Sequence, residues 1–463
     1  MSEFNKEISE IKKSDTPINP NVYNLKNTMC FKTWVDMIIS LPNRTVKWCC
    51  KTQTSDAQND GLKFNLQTLE EQGLDFFINH PQLQKRKYML SGGERAPECA
   101  YCWKSEDASG SSVRTQYNQN THEVWKNRLR VATNHPKKAI FFNQKLQETN
   151  LLNFIELELT NKCNMACNYC WEGLSSRWQK EVGRRYPDTD DDIFDKVIEL
   201  LNEYWKKELV NADPSIGINF SLLGGEPFFT EHMYIFLEDF ILRVHDSIPD
   251  DYRFVITVTT NMNFPQNKFD RFIEIIKKSP KVTYEMQLSG EAIGRKSELV
   301  RWGQDFNKWN ANLIQFMNTS KEIDNLQIGF GCAHNSLTLP YFKEFLQNLE
   351  DVARECDFNE TVVFHTNWVD YPSHMAIGMI DRKHLPAIDE MIDYFINEFT
   401  IPVNKKDIYI NVLKTMRNIV DSDVSDNMLD ISDYEFNKLE ERRKISFAEH
   451  FPHYNELVKI PHK

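Results

Sequence analysis

Apolar and polar positions fall into a regular rhythm from Phe154 onward. Runs rich in β-branched and aromatic residues recur at 154–160, 216–223, 253–259, 281–288, 325–333 and 361–369. Between them lie segments with helical spacing. Ile193, Phe194, Val197, Leu200, Leu201 and Tyr204 make one apolar face, and the acidic run Asp188-Thr189-Asp190 ahead of it has capping character. Comparable segments cover about 230–245, 266–278, 303–318 and 339–354. Six strands alternating with helices predict a parallel sheet with right-handed crossovers. Six units are too few to close an eight-stranded barrel. The expected fold class is therefore α/β, a partial (β/α)6 TIM-like barrel over residues 151–370, with its ligand site at the carboxyl ends of the strands.

The flanks read differently. Residues 1–25 are polar, with Pro17, Asn19 and Pro20, and predict a loosely held lead-in. Over 26–120 the helix and strand signals are short and broken while cysteines and turn residues are frequent, with a β-ribbon expected ahead of Cys49. A small irregular domain of this kind often uses a metal in place of a thick core. Residues 121–150 predict a helical connection. After 370 the strand signals stop, and helices are expected at Asp381 to Phe399, Lys405 to Asp421 and Ser432 to Lys444, a C-terminal helical region over 371–463.

Composition narrows the partners. With 41% hydrophobic and 26% charged residues in 463, the chain is ordinary globular protein. A net charge of −12 argues against a nucleic-acid partner, and no run of 18 apolar residues exists to cross a membrane. The run Met1 to Glu7 has no apolar signal segment, so the expected location is cytoplasmic. Ten cysteines are unevenly spread: five at 30, 49, 50, 99 and 102, three at 163, 167 and 170, and Cys332 and Cys356 apart. In a reducing compartment such clusters point to metal rather than disulfides.

Cys163-Asn164-Met165-Ala166-Cys167-Asn168-Tyr169-Cys170 places three thiols at C-x3-C-x2-C spacing at the end of the first barrel strand. Soft sulfur ligands select zinc, copper(I) or iron–sulfur. A closed zinc site or an ordinary cubane wants four protein ligands, and no fourth Cys or His follows within the next fifty residues. If the cofactor is a cubane, one iron is left without a protein ligand; a partial zinc site or reduced structural thiols are the alternatives. The spacing and sequence resemble the signature of radical S-adenosylmethionine (SAM) enzymes. That resemblance implies a [4Fe-4S] cluster on Cys163, Cys167 and Cys170, with SAM on the fourth iron and Tyr169 beside it. Gly224-Gly225-Glu226-Pro227 closes the second strand and resembles the family's motif for SAM's amino group. By residue type, its glycines allow close backbone approach and Glu226 adds negative charge. The third strand ends at Thr260 and Asn261, whose side chains can hydrogen-bond a ligand. Ser289 and Arg301 resemble the family's strand-end serine and downstream arginine, which hold SAM's ribose and carboxylate, and Glu291 stands where the family more often has Asp.

One ligand each from Cys30 and the Cys49-Cys50 pair, plus Cys99 and Cys102, makes four thiolates, enough for a cubane or a tetrahedral zinc. Spacing leaves both open. Tyr88 to Glu94, then Cys99, Cys102, Glu106, Gly110, Ser112 and Arg114, resemble the twitch (half-SPASM) module, which carries an auxiliary [4Fe-4S] cluster. In many relatives that module follows the barrel; here it precedes it. Of the adjacent thiols, Cys49 is taken as the ligand.

The resemblance implies a radical SAM enzyme, fed by an external electron donor such as flavodoxin or ferredoxin. It would cleave SAM to a 5′-deoxyadenosyl radical and abstract hydrogen from a peptide or protein residue or a small polar metabolite. The auxiliary cluster would take an electron, giving net oxidation or bond formation. Gln327, Gly329, Gly331 and Ala333 on one strand face, and His365 and Asn367 on the next strand, are candidates for the substrate side. The competing class is a non-catalytic zinc- or iron–sulfur-stabilised binding or electron-transfer protein.

Overall fold

The structure is a computed structural model, and it describes residues 28–50, 62–91, 93–110, 112–120, 152–209, 217–421 and 426–457. The expected lead-in (1–25) and helical connection (121–150) lie outside the described residues.

Among the described residues nine strands form one open, mostly parallel sheet: β1 (Asp36–Ser40), β2 (Thr45–Lys47), β3 (Leu62–Lys63), β4 (Phe154–Glu158), β5 (Ile218–Leu223), β6 (Phe254–Thr260), β7 (Val282–Ser289), β8 (Leu326–His334) and β9 (Val363–Trp368). Their order is β3-β2-β1-β4-β5-β6-β7-β8-β9, and β3 and β9 do not pair with each other, so the barrel is not closed. The six strands read from the sequence are β4 to β9. The other three come from the cysteine-rich segment. β1 pairs parallel with β4, from Asp36 opposite Phe154 to Ser40 opposite Glu158, and β2 returns antiparallel to β1. β1 and β2 form the β-ribbon expected ahead of Cys49, whereas the parallel pairing of β1 with β4 has no local signal: all five residues of β1 are buried and none of them alternates out to solvent.

By contacts the chain divides into two compact units. The first holds Met1–Glu158, Thr189–Ser221 and Asp239–Val255; the second holds Leu159–Asp188, Leu222–Glu238 and Ile256–Lys463. In the first, Met29, Phe31, Trp34, Val35, Leu90, Ala96 and Trp103 pack together under the cysteines. The helix Asp191–Tyr204 starts where the acidic run predicts, with the Asp190 side chain accepting from the Ile193 N–H. It buries the whole predicted face, Ile193, Phe194, Val197, Leu200, Leu201 and Tyr204. Each large side chain so buried contributes about 1.5–3 kcal/mol.

In the second unit the helices Gln266–Lys278, Phe306–Ser320 and Phe342–Glu355 follow β6, β7 and β8. Strand alternation is clean: Tyr284, Met286 and Leu288 on β7 and Leu326, Ile328, Phe330 and Cys332 on β8 are buried. The opposite face carries Glu285, Gln287, Gln327, Gly329 and Gly331, with Gln287 beside Gly329 and Gly331 beside His365. The C-terminal helices are Leu385–Asn397, Lys406–Val420 and Asp426–Arg443. The last of these packs Phe436 and Leu439 against Ala166, Trp178 and Val300, so the C-terminal region shares a core with the cysteine loop. Among the described residues no helix is long and apolar enough to cross a membrane.

Candidate functional site

The loop after β4 carries the three cysteines, and its backbone is tied down on several sides. The Cys163 N–H donates to Ser176 Oγ at 3.1 Å, Ser175 Oγ donates to the Met165 carbonyl at 2.5 Å, and Trp178 Nε1 donates to the Cys167 carbonyl at 2.8 Å. These partners open the helix Ser176–Val182, which Ser175 caps by accepting from the Trp178 N–H. From another side, the Ala166 and Asn168 N–H groups donate to the carbonyls of Trp302 and Val300, both at 2.8 Å. An irregular loop can stay buried only if its backbone groups find such partners.

The three thiols are half-buried. Burial, and then the neighbouring Cys167, raise Cys163 far above the usual thiol range. Cys170 is pushed up to about 12 by burial and then by Cys167. Burial also raises Cys167, opposed by the charge of Arg301. The loop therefore holds neutral thiols, and a metal must displace their protons to bind. Cys163 Sγ already receives the Met165 N–H at 3.5 Å and Asn261 Nδ2 at 3.8 Å, contacts that favour a thiolate there. Among the described residues no three His, Cys, Asp or Glu side chains stand as a preformed metal cage. A metal would need the three cysteine side chains to turn toward one point on a backbone already fixed. The donor set suits this: soft, three in number, on one short loop.

The residues expected around SAM are brought to this loop, but several hold one another. Gly225 has φ +43°, and a Cβ there would lie 2.4 Å from the Lys162 carbonyl oxygen. The Glu226 N–H donates to that same oxygen at 2.9 Å. The close approach that the Gly224-Gly225 pair permits is thus to the chain itself, just before Cys163. Pro227 opens a short 3-10 turn. Glu226 is fully buried and accepts from the Phe228 N–H, Thr260 Oγ1 and the Asn261 N–H. Burial pushes its carboxyl up to about 7 against those hydrogen bonds. Its charge faces inward, joining the ends of β5 and β6, rather than standing open to a ligand ammonium. Asn261 Nδ2 donates to Asn164 Oδ1 at 2.7 Å, tying the β6 end to the cysteine loop.

Arg301 is equally committed. Its Nη2 donates to Glu291 Oε2 at 2.5 Å and its Nε to both carboxylate oxygens at 3.1 Å, while Tyr169 Oη donates to Glu291 Oε1 at 2.9 Å. Ser289 is buried at the end of β7, its carbonyl accepting from Trp309 Nε1. A cavity of about 590 Å³ opens beside Cys170, lined by Tyr169, Trp171, Trp178, Tyr371 and Arg442 among others. Gly225, Glu226, Ser289 and Arg301 are not in its wall.

Sequence reasoning missed Arg443. From the end of the last long helix its Nη2 donates to the Ala166 carbonyl at 2.8 Å and its Nη1 to Asn168 Oδ1, 275 residues away in sequence. Its Nε donates to Glu181 Oε1 at 3.0 Å. No local signal marks it within the charged run Glu440-Glu441-Arg442-Arg443-Lys444.

In the first unit, Cys30, Cys49, Cys99 and Cys102 line one small cavity with Lys32 and Arg114, and Cys50 is exposed. Burial raises Cys30 and Cys102, and takes Cys99 to about 12. Glu106, Ser112 and Arg114 form a buttress beside it. Arg114 Nε and Nη2 donate to the Glu106 carboxylate at 2.9 and 2.5 Å, Ser112 Oγ donates to it at 2.5 Å, and Arg114 Nη1 donates to the Met29 carbonyl, next to Cys30. Lys32 forms a buried ion pair with Asp36.

On the polar face of β6 to β9, Thr259 Oγ1 donates to Gln287 Oε1 at 3.1 Å. His365 Nε2 meets the Glu285 carboxylate across β8, where Gly329 leaves room for the imidazole: a Cβ there would stand 3.3 Å from His365 Nε2. Asn367 lies outside the described side chains. No protein-family model and no curated protein sequence matches this chain.

Proposed function

We propose that the chain is a radical SAM enzyme. The observation that supports this reading is a loop of three half-buried thiols, anchored on several sides, from which a metal would receive three protein ligands. A [4Fe-4S] cluster bound there would keep one iron for SAM and supply the electron that splits SAM into methionine and a 5′-deoxyadenosyl radical. The chain's own part is to fix the loop, through Ser175, Ser176, Trp178 and Gly225, and to keep water from the sulfurs. Cys30, Cys49, Cys99 and Cys102 would hold an auxiliary [4Fe-4S] cluster able to accept an electron from the oxidised substrate. The strip of Thr259, Gln287, Glu285 and His365 would meet a polar substrate, a peptide or protein residue or a small metabolite. Electrons would come from a donor such as flavodoxin or ferredoxin.

The test is anaerobic reconstitution with iron and sulfide, followed by dithionite and SAM. The wild-type chain should release 5′-deoxyadenosine and Cys163→Ala should release none. A colourless protein holding zinc at both sites, or a brown protein that never cleaves SAM, would replace this reading with a metal-stabilised binding or electron-transfer protein.

A further inference from the structure

Three features converge on Cys167 from outside the expected cofactor residues. Arg443 is buried, and it grips the residues on both sides of that cysteine through the Ala166 carbonyl and Asn168 Oδ1. Its guanidinium lies between two indoles, 4.9 Å from the Trp178 ring and 5.2 Å from that of Trp302. Both tryptophans also hold the loop, Trp178 through the Cys167 carbonyl and Trp302 through the Ala166 N–H. The counterion is Glu181, whose Oε1 and Oε2 accept at 3.0 and 3.3 Å.

We propose that Arg443 is a positioning residue for the three-thiolate site: the C-terminal helix closes the cysteine loop with it and sets the reduction potential of the metal centre. This rests on the reading above. A guanidinium stays charged at any working pH, and a planar fork can hold a carbonyl, an amide and a carboxylate together, which a lysine ammonium cannot reproduce. Adding one electron, from dithionite in the assay, puts one more negative charge beside Cys167. A fixed positive charge in a low-dielectric setting favours that reduced form, and Glu181 opposes it. The two members of the ion pair therefore tune the potential in opposite directions, while both support the loop.

The experiment is an EPR-monitored redox titration of the reconstituted full-length protein, with iron counted per chain. The relevant signal is the one that added SAM perturbs. Arg443→Met keeps the bulk between the indoles and removes the charge. It should cut the reduction equilibrium constant about tenfold, about 59 mV to the negative side for one electron. Glu181→Gln should move the potential the other way. Arg443→Lys should stay close to wild type in potential while losing part of the iron, because it keeps the charge and loses the fork. Should Arg443→Met fail to hold a cluster, the sign of the Glu181→Gln shift decides. Potentials that do not move in loaded variants, or that move the same way in Arg443→Met and Glu181→Gln, overturn the inference and leave the radical SAM reading standing. A wild-type protein with no SAM-sensitive signal overturns both.

Discussion

Replacing Gly225 by alanine tests whether the glycine turn serves the chain's own close packing. Two separate costs can be worked from the geometry. At φ +43° an L-residue is left-handed, which costs about 1–2 kcal/mol. The added Cβ would stand 2.4 Å from the Lys162 carbonyl oxygen and 2.9 Å from its carbon, both backbone atoms with no flexible end to swing away. Relief requires the turn to lift off, which weakens the 2.9 Å hydrogen bond from the Glu226 N–H to that oxygen, worth about 1 kcal/mol, and adds overpacking strain of about 1–3 kcal/mol. The sum is about 3–6 kcal/mol. Gly183→Ala is the built-in control: φ there is +70° and nothing lies within 4 Å of the added Cβ, so only the conformational cost of about 1–2 kcal/mol remains. Urea unfolding followed by tryptophan fluorescence, with midpoints compared at a common slope, measures both variants. Iron loading should fall in Gly225→Ala and hold in Gly183→Ala. If the two variants unfold within about 0.5 kcal/mol of each other, the close approach is not what Gly225 is for.

Other outcomes follow from the same geometry. Arg301→Met strands Glu291 in a buried site and should cost about 3–5 kcal/mol, with much of it recovered in Arg301→Met/Glu291→Gln; simple additivity in that double-mutant cycle would mean the pair is not coupled. Burial lowers His334 to about 3 and His374 and His453 to about 4, so all three are neutral when folded and charge on unfolding below pH 6.5. The unfolded chain binds more protons there. Stability is complete above pH 6.5 and falls toward pH 4, by about 2 kcal/mol per histidine at pH 5; urea midpoints from pH 7 to 5 check this, and His374→Leu should flatten the slope by about a third. Cys102→Ser should lower iron from about eight to about four per chain while SAM cleavage persists. Loss of all iron in that variant would tie the two sites together.

Legibility followed sequence distance. The β4 to β9 strands, the Asp190 cap and the apolar face of Asp191–Tyr204 could be read because each is a local period or a local hydrogen bond. The cysteine loop could be read because three cysteines lie within eight residues. The pairing of β1 with β4 could not: β4 begins only at Phe154, and Asp36 at the start of β1 is buried against Lys32 and the Tyr117 hydroxyl, the latter 81 residues away. Arg443 was invisible for the same reason, since a charged helix end looks solvated until the chain 277 residues earlier presents the Ala166 carbonyl.

The glycine turn and its partners are more informative than Arg443. Gly225, Glu226, Thr260 and Asn261 were read as a set that meets a ligand, and they do form a set. Their polar atoms, however, are largely taken by one another and by Lys162 and Asn164. Glu226 has donors on both oxygens, two of them backbone N–H groups, and a carboxyl pushed up to about 7. Mutating it would therefore cut the tie between two strand ends and the loop they support, before any ligand contact is lost. Glu226→Gln turns one acceptor oxygen into a donor facing donors already in place, and a buried clash of that kind costs about 1–3 kcal/mol. The loss should appear as lower stability and lower iron content in the SAM-free protein. An effect confined to SAM affinity, with iron and stability unchanged, would return Glu226 to the ligand.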